Sequence, residues 1–402
     1  GAFGAKGVGY LDPVAAVLSR KSGRPVKIAM GRQETFEGTG PTSGSYMRCK
    51  IGVDKTGKIT AAQLYLAFEA GAYPGSPVAG GAYVGLGPYK IDNLLVDGYD
   101  VVCNKPKTQA YRAPGHPQAA FAVETVVDEI AETLGIDPME LRLVNAVREG
   151  DRAPSGVPHA RFGCSEVEEA MRAHPHYAAP LGGANRGRGV AVGYRLNGGA
   201  GSSATLNVNS DGTVSLITGS ADLSGSRVAG AMQVAETLGL PAEDVSPSVV
   251  DTDSVGWTGG SGGSRITFDT GRAVVSAANE VVRQMSARAA ILWEVQPEDV
   301  EFREGVFVCA RESADRATFK ELAGRLMETG GPVTCSASDA QGGNGPQLAG
   351  NIVDVEVDPE TGKIDIVRYT TFLDAGRAIH PSYVEGQMQG SALQGAGWAL
   401  NE

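Results

Sequence analysis

The 402-residue chain has no run of 18 apolar residues, so no segment has the length and character of a membrane-spanning helix. Positive charge is in deficit. Lys and Arg number 35 against 46 Asp and Glu, a formal net charge of -11, which argues against nucleic acid as a partner because phosphate neutralisation needs a basic face. Cysteine is sparse and scattered: Cys49, Cys103, Cys164, Cys309 and Cys335 form no pair with zinc or iron–sulfur spacing. An odd, dispersed set reads as reduced thiols in a cytoplasmic protein. The five histidines include no His-x-x-x-His pair, and His174-Pro175-His176, in a proline-rich stretch, reads as exposed. No metal site built from protein side chains is therefore expected. A metal would have to arrive on its own organic ligand. With 42% apolar residues and a mean hydropathy of -0.12, the composition is that of a soluble globular protein, long enough for two or three domains.

Glycine, by contrast, is abundant, at 56 residues. Residues 256–272 read Gly-Trp-Thr-Gly-Gly-Ser-Gly-Gly-Ser-Arg-Ile-Thr-Phe-Asp-Thr-Gly-Arg. An apolar helical stripe follows, through Ala273, Val274, Ala277, Ala278, Val281 and Val282. A glycine-rich loop feeding a helix N-terminus offers backbone N–H groups to an anion, with no Cβ in the way. The spacing fits neither a P-loop nor a Rossmann fingerprint, so an anion bound here belongs to another phosphate-bearing cofactor. Similar clusters recur at Gly1–Gly7, Arg112–Gln118, Gly219–Ser226, Gly386–Gly390 and Gly395–Gly397.

Periodicity predicts helices over 9–22, 117–134, 137–146, 226–239, 271–293 and 381–399. Strands are predicted over 47–53, 60–69, 205–209, 213–218, 246–250, 351–357 and 364–373. Asp54-Lys55-Thr56-Gly57, Asp211-Gly212 and Pro359-Glu360-Thr361-Gly362 read as turns between paired strands. Residues 149–188, with four prolines and Gly182-Gly183, read as loop and as the boundary between two large modules, 1–178 and 186–402. Helices packed on mixed sheets give an α+β or mixed α/β fold class.

The ordered motifs resemble the molybdenum-binding subunit of the xanthine oxidase and aldehyde oxidoreductase family of molybdenum hydroxylases. Gly1–Lys6 is similar to the family's Gly-Gly-Phe-Gly-Gly-Lys loop, and Ala110-Tyr111-Arg112 to its Ala-Phe/Tyr-Arg segment. Gly262-Gly263-Ser264-Arg265 resembles its cofactor loop, and 353–379 with Gly386-Gln387 its last block. The resemblance implies two modules that hold molybdopterin with molybdenum, in bacteria as the cytosine dinucleotide. It implies cofactor contacts at Phe3, Gly4, Arg112, Leu223, Ser224, Gly225, Ser226, Gly262, Gly263, Ser264 and Gln387, and a substrate pocket with Phe3, Tyr111 and Tyr194. Leu223-Ser224-Gly225-Ser226 departs from the family's Met-Gly-Gln-Gly, so its Gln is lost.

The resemblance also bounds the substrate. Purine-oxidising relatives carry Glu where this chain has Gly7 and Arg where it has Gly80. Carbon monoxide dehydrogenases carry a copper-binding Cys where Tyr111-Arg112 is followed by Ala113. Oxidative hydroxylation of an aldehyde or an N-heteroaromatic ring, with water as oxygen source, is the implied activity. The family's general base, a Glu in a Gly-Glu-x-Pro segment, has no counterpart in the sequence, and Glu402 reads as a structural helix-end acid. The chain therefore reads as truncated at both ends and inactive alone. Expected partners are an iron–sulfur subunit carrying 2Fe-2S clusters, an FAD subunit, and a second molybdopterin-binding chain supplying the Glu, in an oligomer. The alternative expectation is a non-catalytic binding or assembly homologue of the same fold.

Overall fold

The computed structural model describes residues 3–4, 9–251, 253–311, 315–340 and 345–401. Lys6 and Gly7 of the opening loop lie outside the described residues, as do Gly1, Ala2 and Glu402. The chain forms two compact units. The first takes Gly1–Leu196, Pro346–Gly376 and Met388–Glu402, and the second takes Asn197–Gly345 and Arg377–Gln387.

The first unit begins with a sheet of β1 (Ser45–Val53), β2 (Ile59–Gly71) and β3 (Leu94–Val102), in which β2 is central, antiparallel to β1 and parallel to β3. The β1–β2 turn is the one the sequence announces. Asp54 Oδ1 accepts from the Thr56 and Lys58 amides, and Gly57 takes φ 86°. Alternation along β2 buries Leu64, Leu66 and Phe68 completely. Helix α1 (His116–Leu134) lays Val123, Val127 and Ala131 on this core and ends at Gly135, which is left-handed at φ 64°. Helix α2 (Pro138–Asn145) starts where Asp137 accepts from the Met139 and Glu140 amides. The stretch read as loop holds a further helix, α3 (Cys164–Ala173), followed by strand β4 (Arg186–Leu196).

The second unit is built on strands β5 (Ser202–Val208), β6 (Val214–Thr218), β7 (Val245–Val249) and β8 (Val333–Asp339), in the order β8-β5-β6-β7. Helices α4 (Ser226–Leu238) and α5 (Gly271–Trp293) cover it. The predicted stripe of α5 is the buried face: Ala273, Ala277, Ala278 and Val281 are fully covered, and their small side chains permit close approach to the sheet. A single π turn, Ile266–Thr270, precedes α5.

The chain then returns. β9 (Pro346–Val357) pairs with both β4 and β10 (Ile364–Leu373), completing a second sheet of the first unit. This return corrects the reading of His176, which is 2% exposed rather than at the surface. Its Nδ1 lies 2.7 Å from Thr370 Oγ1 of β10 and its Nε2 lies 3.1 Å from Asp354 Oδ1 of β9. The covering strands are distant in sequence, so the proline-rich neighbourhood of His176 gives no hint of them. Helix α6 (Pro381–Asn401) closes the described chain.

Candidate cofactor-binding loops

In the first unit Phe3 and Gly4 of the opening loop lie against the Ala110–Arg112 segment. The Arg112 amide donates to the Phe3 carbonyl at 2.7 Å, and the Arg112 guanidinium lies 5.5 Å from the Phe3 ring centroid. Gly4 has φ 115°, and a Cβ there would stand 2.4 Å from the Ala110 carbonyl oxygen. Only glycine fits. Arg112 is half-buried, and that burial pushes its pKa down. It also reaches Gln394 Oε1 at 3.4 Å, while Tyr111 meets Trp398 edge-on at 5.3 Å. Phe3 remains 52% exposed.

Tyr194 has a different place. It is 5% exposed in the core, its ring against Phe162 and His159 and over Gly87, where a Cβ would stand 2.4 Å from the ring. Burial pushes its hydroxyl pKa up to about 12. The structure therefore groups Phe3, Tyr111 and Arg112 but places Tyr194 among packing residues.

In the second unit, Leu223–Ser226 forms the turn that starts α4. Ser224 takes φ 54° and Gly225 φ 78°. The position a Gly225 side chain would need is filled by the Tyr383 ring, 2.2 Å from the ideal Cβ. Ser226 Oγ accepts from the Leu223 amide at 3.3 Å, and Asp222 pairs with Arg227 at 2.8 Å. The glycine loop shows the same backbone habit, with Gly263 at φ 69° and Ser264 at φ 60°. Gly262, Gly263 and Ser264 are exposed, and Gln387 is an exposed residue of α6.

What shapes the glycine loop is a side chain that the motif includes but that composition alone does not single out. Arg265 is 3% exposed. Its guanidinium donates to the carbonyls of Gly259 at 2.7 Å, Gly260 at 3.3 Å, Ala200 at 2.7 Å and Gly201 at 2.9 Å. Asp269 stands 3.3 Å from its Nε. A planar fork of fixed donors suits several carbonyls at once, which a lysine ammonium on a flexible stem does not.

Backbone pairs with consecutive positive φ and a non-glycine member thus occur at Phe3–Gly4, Ser224–Gly225 and Gly263–Ser264, on three of the motif loops; Gly330–Gly331, outside the motifs, is an all-glycine pair. A non-glycine residue in this region is strained, by about 1–3 kcal/mol, and persists where its surroundings hold it. The Glu304–Gly305 pair, by comparison, closes the two-residue hairpin turn between Arg303 and Val306, an ordinary use of the conformation. The three motif loops close no such hairpin.

Among the described residues no group of three or more His, Cys, Asp or Glu side chains is placed to hold a metal ion, and no helix is long and apolar enough to cross a membrane.

Two family models, each for a molybdopterin cofactor-binding domain, match residues 1–146 and 165–402. A putative xanthine dehydrogenase molybdenum-binding subunit of Escherichia coli K12 is 30% identical over 100% of this chain and 56% of its own length. The aldehyde oxidoreductase of Megalodesulfovibrio gigas is 28% identical over 100% of this chain and 44% of its own. Among solved structures, quinoline 2-oxidoreductase from Pseudomonas putida 86 superposes with a TM-score of 0.85 at 26% identity, over 97% of this chain and 55% of that one. The chain therefore spans about half the length of the relatives it matches. On these matches, the chain belongs to the molybdopterin-binding subunits of the xanthine dehydrogenase and aldehyde oxidoreductase family.

Proposed function

We propose that this chain is the cofactor-holding part of an oxidoreductase that hydroxylates an aldehyde or an N-heteroaromatic substrate, with water as oxygen source. The observation that carries the reading is the set of three loops with paired positive-φ residues, Phe3–Gly4, Ser224–Gly225 and Gly263–Ser264. Such turns release backbone N–H groups from regular ladders and aim them outward, which suits a ligand rich in phosphate and ring acceptors. The residues present thus fit molybdopterin, and the cytosine dinucleotide form belongs to the same proposal. When bound, the cofactor supplies the molybdenum redox centre. In the second unit Gly262–Ser264, Leu223–Ser226 and Gln387 would contact it; in the first unit Phe3, Gly4 and Arg112 would do so. Phe3 and Tyr111 would border the substrate.

The substrate class has support in the packing of Gly80. A Cβ at that position would stand 2.5 Å from the Pro114 carbonyl, so a purine-orienting arginine has no room there. Relatives named as aldehyde oxidoreductases and a quinoline 2-oxidoreductase agree with this class, whereas those named for xanthine do not. The scattered cysteines offer no 2Fe-2S set, so electrons would leave through iron–sulfur and FAD partners. The general base is proposed to lie outside these 402 residues, in further polypeptide or a second chain. The replacement of the family's Gln by Ser-Gly-Ser at 224–226 favours, as a second reading, a non-catalytic binding homologue.

Elemental analysis for molybdenum and fluorescence of the released pterin test the assignment. Both should co-purify with the chain, and both should be lost in Ser264→Tyr, whose ring fills the space in front of the loop. Unchanged molybdenum in that variant would sink the assignment of the loop. Supplying polypeptide that covers the relatives' remaining length should raise turnover of aldehydes or N-heterocycles, with an artificial acceptor, by about 10²–10⁴-fold, the usual contribution of a general base. Equal activity without it would place the base within this chain.

A further inference from the structure

We propose that a buried chain of hydrogen bonds, Arg265–Ser202–Thr270–Ser220, is a positioning device that sets the 220–226 loop relative to the glycine loop inside the second unit. It rests on the reading of these loops as cofactor-holding. Arg265 Nη2 donates to Ser202 Oγ at 2.6 Å. Ser202 Oγ lies 2.9 Å from Thr270 Oγ1, which lies 2.8 Å from Ser220 Oγ. The three hydroxyl residues are 1%, 5% and 4% exposed.

A guanidinium donates only. Its charge favours the arrangement in which each hydroxyl hydrogen points away from it, from Ser202 to Thr270 and from Thr270 to Ser220. Each bond then polarises the next, in surroundings where water does not compete. The series has a direction, and Ser220 at its far end adjoins the Ala221–Ser226 turn, which is knit by Ser226 Oγ to the Ala221 carbonyl and the Leu223 amide.

The π turn explains how one short segment reaches both ends. Successive residues of an α-helix diverge by about 100°, so two neighbours rarely face one strand. Within Ile266–Thr270, however, Asp269 and Thr270 are both buried and both meet the start of β5: Asp269 Oδ2 accepts from the Ala200 amide at 2.9 Å, while Thr270 meets Ser202. The extra residue of the turn turns two side chains inward. Residues 200–202 thereby become a common anchor for the glycine loop through Arg265 and for the 220–226 loop through Thr270.

Hydrogen exchange of the 220–226 and 259–264 peptides, measured together with pterin retention and thermal melting, tests the device on the full chain. Thr270→Val keeps the shape and removes the link. It should speed exchange in 220–226 by about tenfold, leave 259–264 unchanged, and lower pterin retention. Ser220→Ala should reproduce this, and Thr270→Ser should restore the original behaviour. Arg265→Lys should loosen both loops. Wild-type exchange in 220–226 of both Thr270→Val and Ser220→Ala overturns the device, as does a lowered melting temperature with no change confined to that loop. Faster exchange with undiminished pterin retention leaves the coupling standing but overturns the reading of the loop as cofactor-holding.

Discussion

Each unit buries an arginine, and the two are neutralised differently. Arg142 of the first unit, 0% exposed, donates to Glu124 at 3.0 Å and Asp128 at 2.8 Å, with carbonyls of Pro138 and Val190 as further acceptors. It ties α1, α2 and β4 together, so its partners lie on regular elements. Arg265 has one carboxylate and otherwise backbone carbonyls and a hydroxyl, most of them on loops. Carboxylates neutralise a charge and join rigid pieces. Carbonyls, which cannot move without the chain moving, make the charge a template for backbone shape. The first arginine therefore bears on stability, and the second on the conformation of the surface that the cofactor would meet.

The sharpest way to break this contrast is Arg142→Ala. It leaves Glu124 buried with a lost partner and should cost about 3–5 kcal/mol, read as a lower urea midpoint with α1 and α2 exchanging early. An effect under about 1 kcal/mol would show that the carboxylates are relieved by solvent. The next effect concerns Glu168 of α3, which is fully buried with no hydrogen-bond partner for either oxygen among the described residues. Burial, and then the Glu124 charge, push its pKa from the usual 4.5 up to about 8. The folded protein thus holds a proton that the unfolded chain releases. Stability from this group is full below pH 4.5, declines as pH rises to about 8, and is flat beyond. Glu168→Gln should flatten this slope and stabilise the protein at pH 8 by on the order of a few kcal/mol. Equal pH slopes in wild type and variant would refute it. The smallest effect is expected in the second unit. Gly225→Ala places a Cβ against the Tyr383 ring at positive φ and should cost about 1–2 kcal/mol, with faster exchange limited to the start of α4. A global change in unfolding would erase the distinction between a stabilising region and a shaping one.

What could be read in the sequence was local. The turns at 54–57, 211–212 and 359–362 carry their own chemistry, with Gly57, Gly212 and Gly362 all at positive φ. Helix α5 displays its buried stripe directly, whereas the apolar residues of α1 mislead in part, since Phe121 is 71% exposed while Gln118 and Glu124 are buried. β3 did not show, because its residues are largely exposed and lack alternation. β4, with Gly187, Gly189 and Gly193 among its residues, did not show either, because glycines weaken the strand signal and its pairing partner β9 is distant in sequence. The motif loops were legible through their resemblance to a family, whereas the hydroxyls behind them were not. Ser202, Ser220 and Thr270 are ordinary residues far apart in sequence, and only folding brings them into one line.

The return of β9 to the first unit has a consequence for how the protein is made. Leu196 at the end of β4 pairs with Pro346 at the start of β9, and all of the chain between them, Asn197–Gly345, belongs to the second unit. During synthesis β4 leaves the ribosome long before its partner exists. For that interval β4 has no strand beside it, and the second sheet of the first unit waits on translation of nearly the entire second. If the second unit folds in that time, it shortens the loop that β4 and β9 must close. The order of genetic text thus imposes an order of assembly, with the second sheet of the first unit completed after the bulk of the second unit has been made.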